Sequence, residues 1–67
     1  MDRVYFDSMG PSGNIFAVVA SCKDSLSKSE YKELIDKVFN STSYEKALGC
    51  VREYVDLIDL SGKYNER

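Results

Sequence analysis

The stretch that decides the fold is residues 4–14, VYFDSMGPSGN, which joins a short strand to the first helix. Its first three residues are β-branched or aromatic, which predicts a strand over residues 3–8 with Val4 and Phe6 on one face. Two glycines and a proline then mark a turn, and Asn14 is a good N-cap for the helix that follows. The chain therefore opens with a strand, a turn and a helix.

Three segments carry apolar residues at helical spacing. The first predicts a helix over residues 14–26, after which Ser27 and Glu30 have the spacing of a capping box. The second follows the i, i+3, i+4, i+7, i+8 pattern of an amphipathic helix without a gap. Its apolar positions are Tyr31, Leu34, Ile35, Val38 and Phe39.

The third helix begins near Thr42, which has the spacing of a cap with Glu45. It contains Gly49, which costs about 1 kcal/mol relative to Ala and predicts a close helix–helix crossing. Residues 55–60 fit either a continued helical period or the alternation of a strand. We favour a strand that pairs with the first one.

These elements predict a small α+β domain of order β-α-α-α-β, with a two-stranded antiparallel sheet covered by three short helices. Two strands are marginal on their own, so helices must cover one face. We predict one compact domain over residues 1–60 and a polar, frayed tail over residues 61–67. With 67 residues, the chain buries only about 60% of the surface that its unfolded form exposes.

Composition excludes several classes of function. Apolar residues make up 43% and charged residues 30% of the chain, a balance typical of a globular protein. The net charge of −2 excludes the strongly basic surface of a nucleic-acid binder. The chain has no His, so it lacks both His-based acid–base chemistry and His metal ligands. We therefore predict no enzyme, no catalytic residue, no metal site and no cofactor, and we expect no nucleic-acid partner.

The longest uninterrupted apolar run, residues 15–20, is far too short to span a membrane, and the N-terminus has no signal-peptide pattern. We therefore expect a cytoplasmic protein without a membrane partner. Cys22 and Cys50 form no C-x-x-C motif and fall within apolar helical patterns. We predict two reduced thiols that pack as small hydrophobic side chains.

The glycine-rich turn is the first candidate site, with Gly10, Ser12, Gly13 and Asn14 as its residues. It precedes a helix N-terminus, where free backbone N–H groups and the helix dipole favour an anion. These residues would therefore bind a small anionic ligand such as a nucleotide. No Lys of a phosphate-binding loop follows, and a tight turn with an N-cap explains the same residues.

The chain has five tyrosines, a residue type enriched in protein interfaces. Tyr5 lies on the strand face opposite Val4 and Phe6, and Tyr54 and Tyr64 lie towards the C-terminus. We predict Tyr5, Tyr54 and Tyr64 as protein-interface residues. Packing at the edge of the core is the alternative.

Residues 7–16 carry a D-x-x-G-P-x-G-N-x-F motif. It resembles the opening of a group of short, uncharacterised proteins of tailed bacteriophages and some bacteria. Residues 43–45 (SYE) and 54–57 (YVDL) are similar to two later motifs of that group, whereas residues 27–30 and the second helix depart from its pattern. The resemblance implies a C-terminal strand and a phage-like setting in the bacterial cytoplasm, and it implies no particular activity.

These observations favour a non-enzymatic small binding protein. As a phage-type accessory factor, it would bind and inhibit or modulate a host protein or defence complex. Several tyrosines, a mixed-charge surface and the lack of a catalytic set favour this function. The alternatives are capture of a small anionic ligand, as a sponge or sensor, and a structural role as a self-assembling homo-oligomer, because small domains often gain stability by oligomerising.

Overall fold

The computed structural model describes residues 2–65 of the chain. In chain order the elements are β1 (Arg3–Phe6), α1 (Ile15–Ser21), α2 (Lys28–Phe39), α3 (Tyr44–Arg52) and β2 (Asp56–Asp59). Two short 3₁₀ turns, Pro11–Gly13 and Lys23–Ser25, lie before and after α1. The predicted order β-α-α-α-β and the strand within residues 55–60 are confirmed.

The two strands are parallel, so the predicted antiparallel sheet is wrong. Val4 pairs with Leu57, and the N–H of Asp56 at the start of β2 donates to the carbonyl of Asp2, just before β1, at 2.8 Å. Apolar alternation indicates which face of a strand is buried but carries no information about strand direction. The direction follows from the connection between the two strands. Three helices are long enough to provide the crossover that parallel strands need. Because each helix takes the chain once across the domain, three crossings return it to the end of the sheet where β1 starts.

The core lies between one face of the sheet and the three helices. Val4 and Phe6 point inward from β1 and Tyr5 points outward, as predicted. Both α1 and α2 pack against α3, which is therefore the central helix. The buried core side chains are all apolar and comprise Val4, Phe6, Val18, Val19, Cys22, Leu34, Val38, Ala47, Leu48, Val51, Val55 and Leu57.

The helix ends differ from prediction in two places. The first helix ends at Ser21, earlier than predicted, because no residue of the following turn Lys23–Ser25 has an apolar side chain to continue the buried stripe. The cap of α3 is Ser43, whose hydroxyl accepts a hydrogen bond from the Lys46 N–H at 3.1 Å. Thr42, the predicted cap, instead accepts a hydrogen bond from the Lys46 ammonium.

The capping box at the start of α2 is confirmed. The Ser27 hydroxyl accepts from the Glu30 N–H at 3.2 Å, and the Glu30 carboxylate accepts from the Ser27 N–H at 3.0 Å. The Ser27 N–H, followed by the Ser27 hydroxyl, lowers the pKa of the Glu30 carboxylate. Within residues 2–65, no helix is long and apolar enough to cross a membrane.

Gly49 does not mark a close helix crossing, so that prediction is wrong. The residue is exposed in the middle of α3, and a Cβ at this position would have no neighbouring atom within 4 Å. The helix therefore carries the conformational cost of a glycine without a packing contact that requires it.

Candidate binding surface

The glycine-rich turn between β1 and α1 uses most of its hydrogen-bond donors internally. The N–H groups of Gly10 and Gly13 donate to the carbonyls of Asp7 and Gly10, each at 3.0 Å. The Ser12 hydroxyl accepts from the Asp7 N–H at 3.0 Å. These contacts leave few groups to hold an anion, and anion capture at this turn stays a prediction that the geometry does not favour.

Asn14 caps α1, as predicted, because its side chain accepts a hydrogen bond from the Phe16 N–H at 2.8 Å. Gly13 is buried beneath the same turn, where a Cβ would lie only 2.7 Å from the Asp7 carbonyl oxygen and from Ser8 Cα. The hydroxyl of Tyr44, at the start of α3, donates to the Gly13 carbonyl. Close backbone packing therefore explains the glycine at position 13.

Among the described residues, Asp59 is the charged residue that is buried. Its hydrogen bonds connect the two ends of the described chain. Its Oδ1 accepts from the N–H groups of Ser8 and Ser61 at 3.1 and 3.0 Å. Its Oδ2 accepts from the Ser8 hydroxyl at 2.6 Å and from the Tyr64 N–H at 3.0 Å. Burial by itself raises the pKa of Asp59, but these hydrogen bonds outweigh burial and hold the pKa well below its ordinary value.

The side chain of Asn65 covers the outer edge of β2. Its Oδ1 accepts from the Asp59 N–H at 2.6 Å and its Nδ2 donates to the Asp59 carbonyl at 2.9 Å. A neighbouring strand would make the same pair of backbone contacts. Of the predicted tail, residues 61–65 thus include groups that are hydrogen-bonded to the domain, and residues 66–67 lie outside the described residues, as does Met1.

The three predicted interface tyrosines lie on separate parts of the surface. Tyr5 is 54% exposed on the outer face of the sheet. Tyr54 is half-buried, and its hydroxyl donates to Glu33 Oε2 at 3.1 Å. The ring of Tyr64 packs edge-on against Tyr44, with 5.2 Å between centroids. Of these three, only Tyr5 is largely exposed.

An exposed aromatic pair, which the sequence interpretation missed, joins α1 to α2. Phe16 is 61% exposed and Phe39 is 67% exposed, and their ring centroids are 5.9 Å apart. Phe39 belongs to the apolar stripe predicted for the second helix, and such a stripe normally faces the core. Phe16 is near the start of α1 and Phe39 is the last residue of α2. Helical spacing predicts the side of a helix on which a residue lies but not how far the neighbouring helices extend along it.

A groove of about 350 Å³ is lined by Ile15 and Val38, the residues that precede Phe16 and Phe39 in the chain, and by residues 41–43, which add their hydroxyl groups. We call the two rings and this groove the aromatic surface. An apolar centre with a polar rim is the composition of a protein–protein interface.

The described residues contain few other groups that could bind a metal ion or react. Across residues 2–65, no group of three His, Cys, Asp or Glu side chains is placed to hold a metal ion. Both cysteines are free; Cys22 is buried, which raises the pKa of its thiol, and Cys50 is half-buried. Comparison of the chain with protein-family models, with curated proteins and with solved structures finds no match.

Proposed function

We propose that the protein is a non-enzymatic binding protein that attaches to a host protein or defence complex and inhibits or modulates it. The observation that carries this proposal is the exposed contact between Phe16 and Phe39. The resemblance of residues 7–57 to short phage proteins supports a phage-type accessory role in the bacterial cytoplasm.

The aromatic pair supplies a useful amount of binding energy. With about 200 Å² for a fully exposed ring, the exposed fractions of Phe16 and Phe39 leave roughly 250 Å² of apolar surface in water. Covering that area is worth about 6 kcal/mol at about 25 cal/mol per Å², before the costs of association. Two rings of this kind are therefore suited to be the central anchors of an interface.

The groove adds contact area to that of the two rings, as a complete interface requires. A standard interface buries about 800 Å² per partner, which is somewhat less than a fifth of the 4526 Å² surface of the protein. The serine and threonine hydroxyls of residues 41–43 provide hydrogen-bonding groups beside the apolar centre. We therefore expect the partner to present an apolar projection or pocket to the rings and polar groups to this rim.

Photocrosslinking in bacterial cells tests this proposal. A photoreactive phenylalanine analogue replaces Phe16 or Phe39 in separate proteins, and Leu60 serves as the control position. Leu60 is 67% exposed, the same as Phe39, but follows β2 instead of lying on the aromatic surface.

We expect the analogues at positions 16 and 39 to give the same macromolecular adduct, identified by mass spectrometry, and the analogue at position 60 not to give it. If neither aromatic position forms an adduct, or if all three positions form the same one, the aromatic surface is not the binding site.

A further inference from the structure

The side of α2 that faces α1 carries more apolar surface than the aromatic pair alone. Phe39 contacts Phe16 of α1, so its ring marks that side of the helix. Tyr31 and Ile35 precede Phe39 by two turns and one turn, so the three side chains lie on the same side. Tyr31 and Ile35 are half-buried, and part of each side chain remains in water. We call Tyr31, Ile35 and Phe39 the α2 stripe.

The surface between α1 and α2 is not closed by packing of the two helices. Each of them packs against α3 more than against the other. Ala20, one turn after Phe16, is exposed and adds a small apolar side chain on the α1 side. From its first to its last residue, the α2 stripe extends about 12 Å along the helix axis. A partner segment of that length can contact the whole stripe.

Two lysines flank the α2 stripe. Lys28 precedes Tyr31 by one turn and Lys32 precedes Ile35 by one turn, so each lies beside the stripe on the helix surface. Both side chains are exposed, and neither forms an ion pair with a described residue. This includes Asp36, one turn after Lys32. Because water and salt screen distant charges, the two ammonium groups make this flank locally positive despite the net charge of −2.

We propose that the partner docks an acidic amphipathic helix along the α2 stripe, an inference that rests on the proposed function. Apolar residues of that helix, at positions i, i+3 or i+4, and i+7, contact the stripe and the ring of Phe16. Its Asp and Glu residues lie beside the apolar face, opposite Lys28 and Lys32. The backbone groups of α2 are bonded within α2 and offer no partner to an extended strand, whereas a docked helix satisfies its own backbone.

Photocrosslinking from both ends of the α2 stripe tests whether the docked segment is a helix. The photoreactive phenylalanine analogue replaces Tyr31 or Phe39, which lie about 12 Å apart along α2. A helix that runs along α2 advances about 1.5 Å per residue, so the two adducts should map about seven or eight residues apart in the partner. In an extended strand, which advances about 3.3 Å per residue, they would map about four residues apart.

Adducts about seven or eight residues apart in one segment of the partner, with Asp or Glu residues beside them, support the proposal. Adducts about four residues apart overturn it, as do adducts in separate segments or an adduct from position 39 without one from position 31. Those results leave the aromatic surface as the binding site. If positions 16 and 39 both fail to crosslink, the proposed function and this inference are refuted together.

Charge reversal tests the role of the lysines. We expect Lys32→Glu to weaken binding of the purified partner about fivefold, because a like charge then faces the acidic residues of the docked helix. Lys63→Glu is the matched control. Lys63 is also exposed and forms no ion pair with a described residue, but it lies beside Tyr64 on the C-terminal segment. We expect the control to bind within about twofold of wild type.

The salt dependence of binding separates a charge contact from a change in packing. Added NaCl should weaken binding of the wild type more than binding of Lys32→Glu, because salt screens the contact that the variant has lost. Circular dichroism confirms that each variant is folded. The proposal is overturned if Lys32→Glu binds as tightly as the control, or if its salt dependence equals that of the wild type.

Discussion

Replacing Asp59 by Asn tests whether one buried carboxylate holds the two ends of the described chain together. Asp59 is 2% exposed and accepts hydrogen bonds from Ser8, Ser61 and Tyr64. Asn has nearly the same shape but only one acceptor oxygen. With the oxygen at the Oδ1 position, the N–H of Tyr64 faces an NH₂ group; with the oxygen at Oδ2, the N–H groups of Ser8 and Ser61 do.

The expected decrease in the free energy of unfolding follows from this loss of acceptors. A buried N–H group without a partner costs about 1–3 kcal/mol. The hydrogen bonds that remain lose their charge assistance, which is worth about half of their strength. The sum is roughly 2–4 kcal/mol, against a total stability of about 3–10 kcal/mol for a chain of this length. Asp59→Asn therefore removes a large part of the free energy of unfolding.

Urea and thermal unfolding, followed by far-UV circular dichroism, measure the effect. We expect the free energy of unfolding to fall by roughly 2–4 kcal/mol and the melting temperature by about 8–30 °C. Asp56→Asn is the matched control on the same strand, because the Asp56 side chain is half exposed and its ion pair with Arg3 contributes at most about 1 kcal/mol. If Asp59→Asn costs no more than Asp56→Asn, the reasoning about Asp59 is refuted.

Three further changes should have measurable effects on the free energy of unfolding. Gly13→Ala should destabilise the protein by about 1–3 kcal/mol, because the added Cβ would lie 2.7 Å from backbone atoms. Gly49→Ala should stabilise it by about 0.5–1 kcal/mol, because the added Cβ has no atom within 4 Å. If urea unfolding shows effects of the same sign for both variants, this reasoning is contradicted. Ser27→Ala removes the cap of α2 and should cost about 1 kcal/mol, with the exposed Ser29→Ala near neutral as its control. The folded-state pKa of Asp59 lies below its unfolded value near 3.9, so its contribution is complete above about pH 5 and is lost as the pH falls further. In acid titrations of stability, Asp59→Asn should reduce this loss, and an unchanged loss would show that other carboxylates cause it.

The order of elements could be predicted because most elements have a local signal, although residues 55–60 fit a helix as well as a strand. The stripe of α2 and its capping box at Ser27 predict a helix without reference to the rest of the chain. The direction of β2 has no such signal, because it depends on how three helices cross the domain. The packing around Gly49 could not be predicted either, because a glycine within a helical pattern looks the same whether or not another helix lies against it.

The candidate surface could be predicted only in part. The sequence interpretation missed Asp59, although strand alternation would put it on the same face as Val55 and Leu57. Its partner Ser8 is distant in sequence, so no local pattern could assign the hydrogen bonds. The exposure of Phe39 depends on where the neighbouring helices end, which the residues of its own helix do not encode.

The most direct test of the proposed function is the affinity of the crosslinked partner, once purified, for three folded proteins. These are the wild type, the double variant Phe16→Ser/Phe39→Ser, and the control Leu60→Ser. Because two central aromatic anchors are removed, we predict that the double variant binds about 100-fold more weakly, with the control within about twofold of wild type. Wild-type affinity in the double variant would contradict the proposal that the partner binds through the aromatic surface.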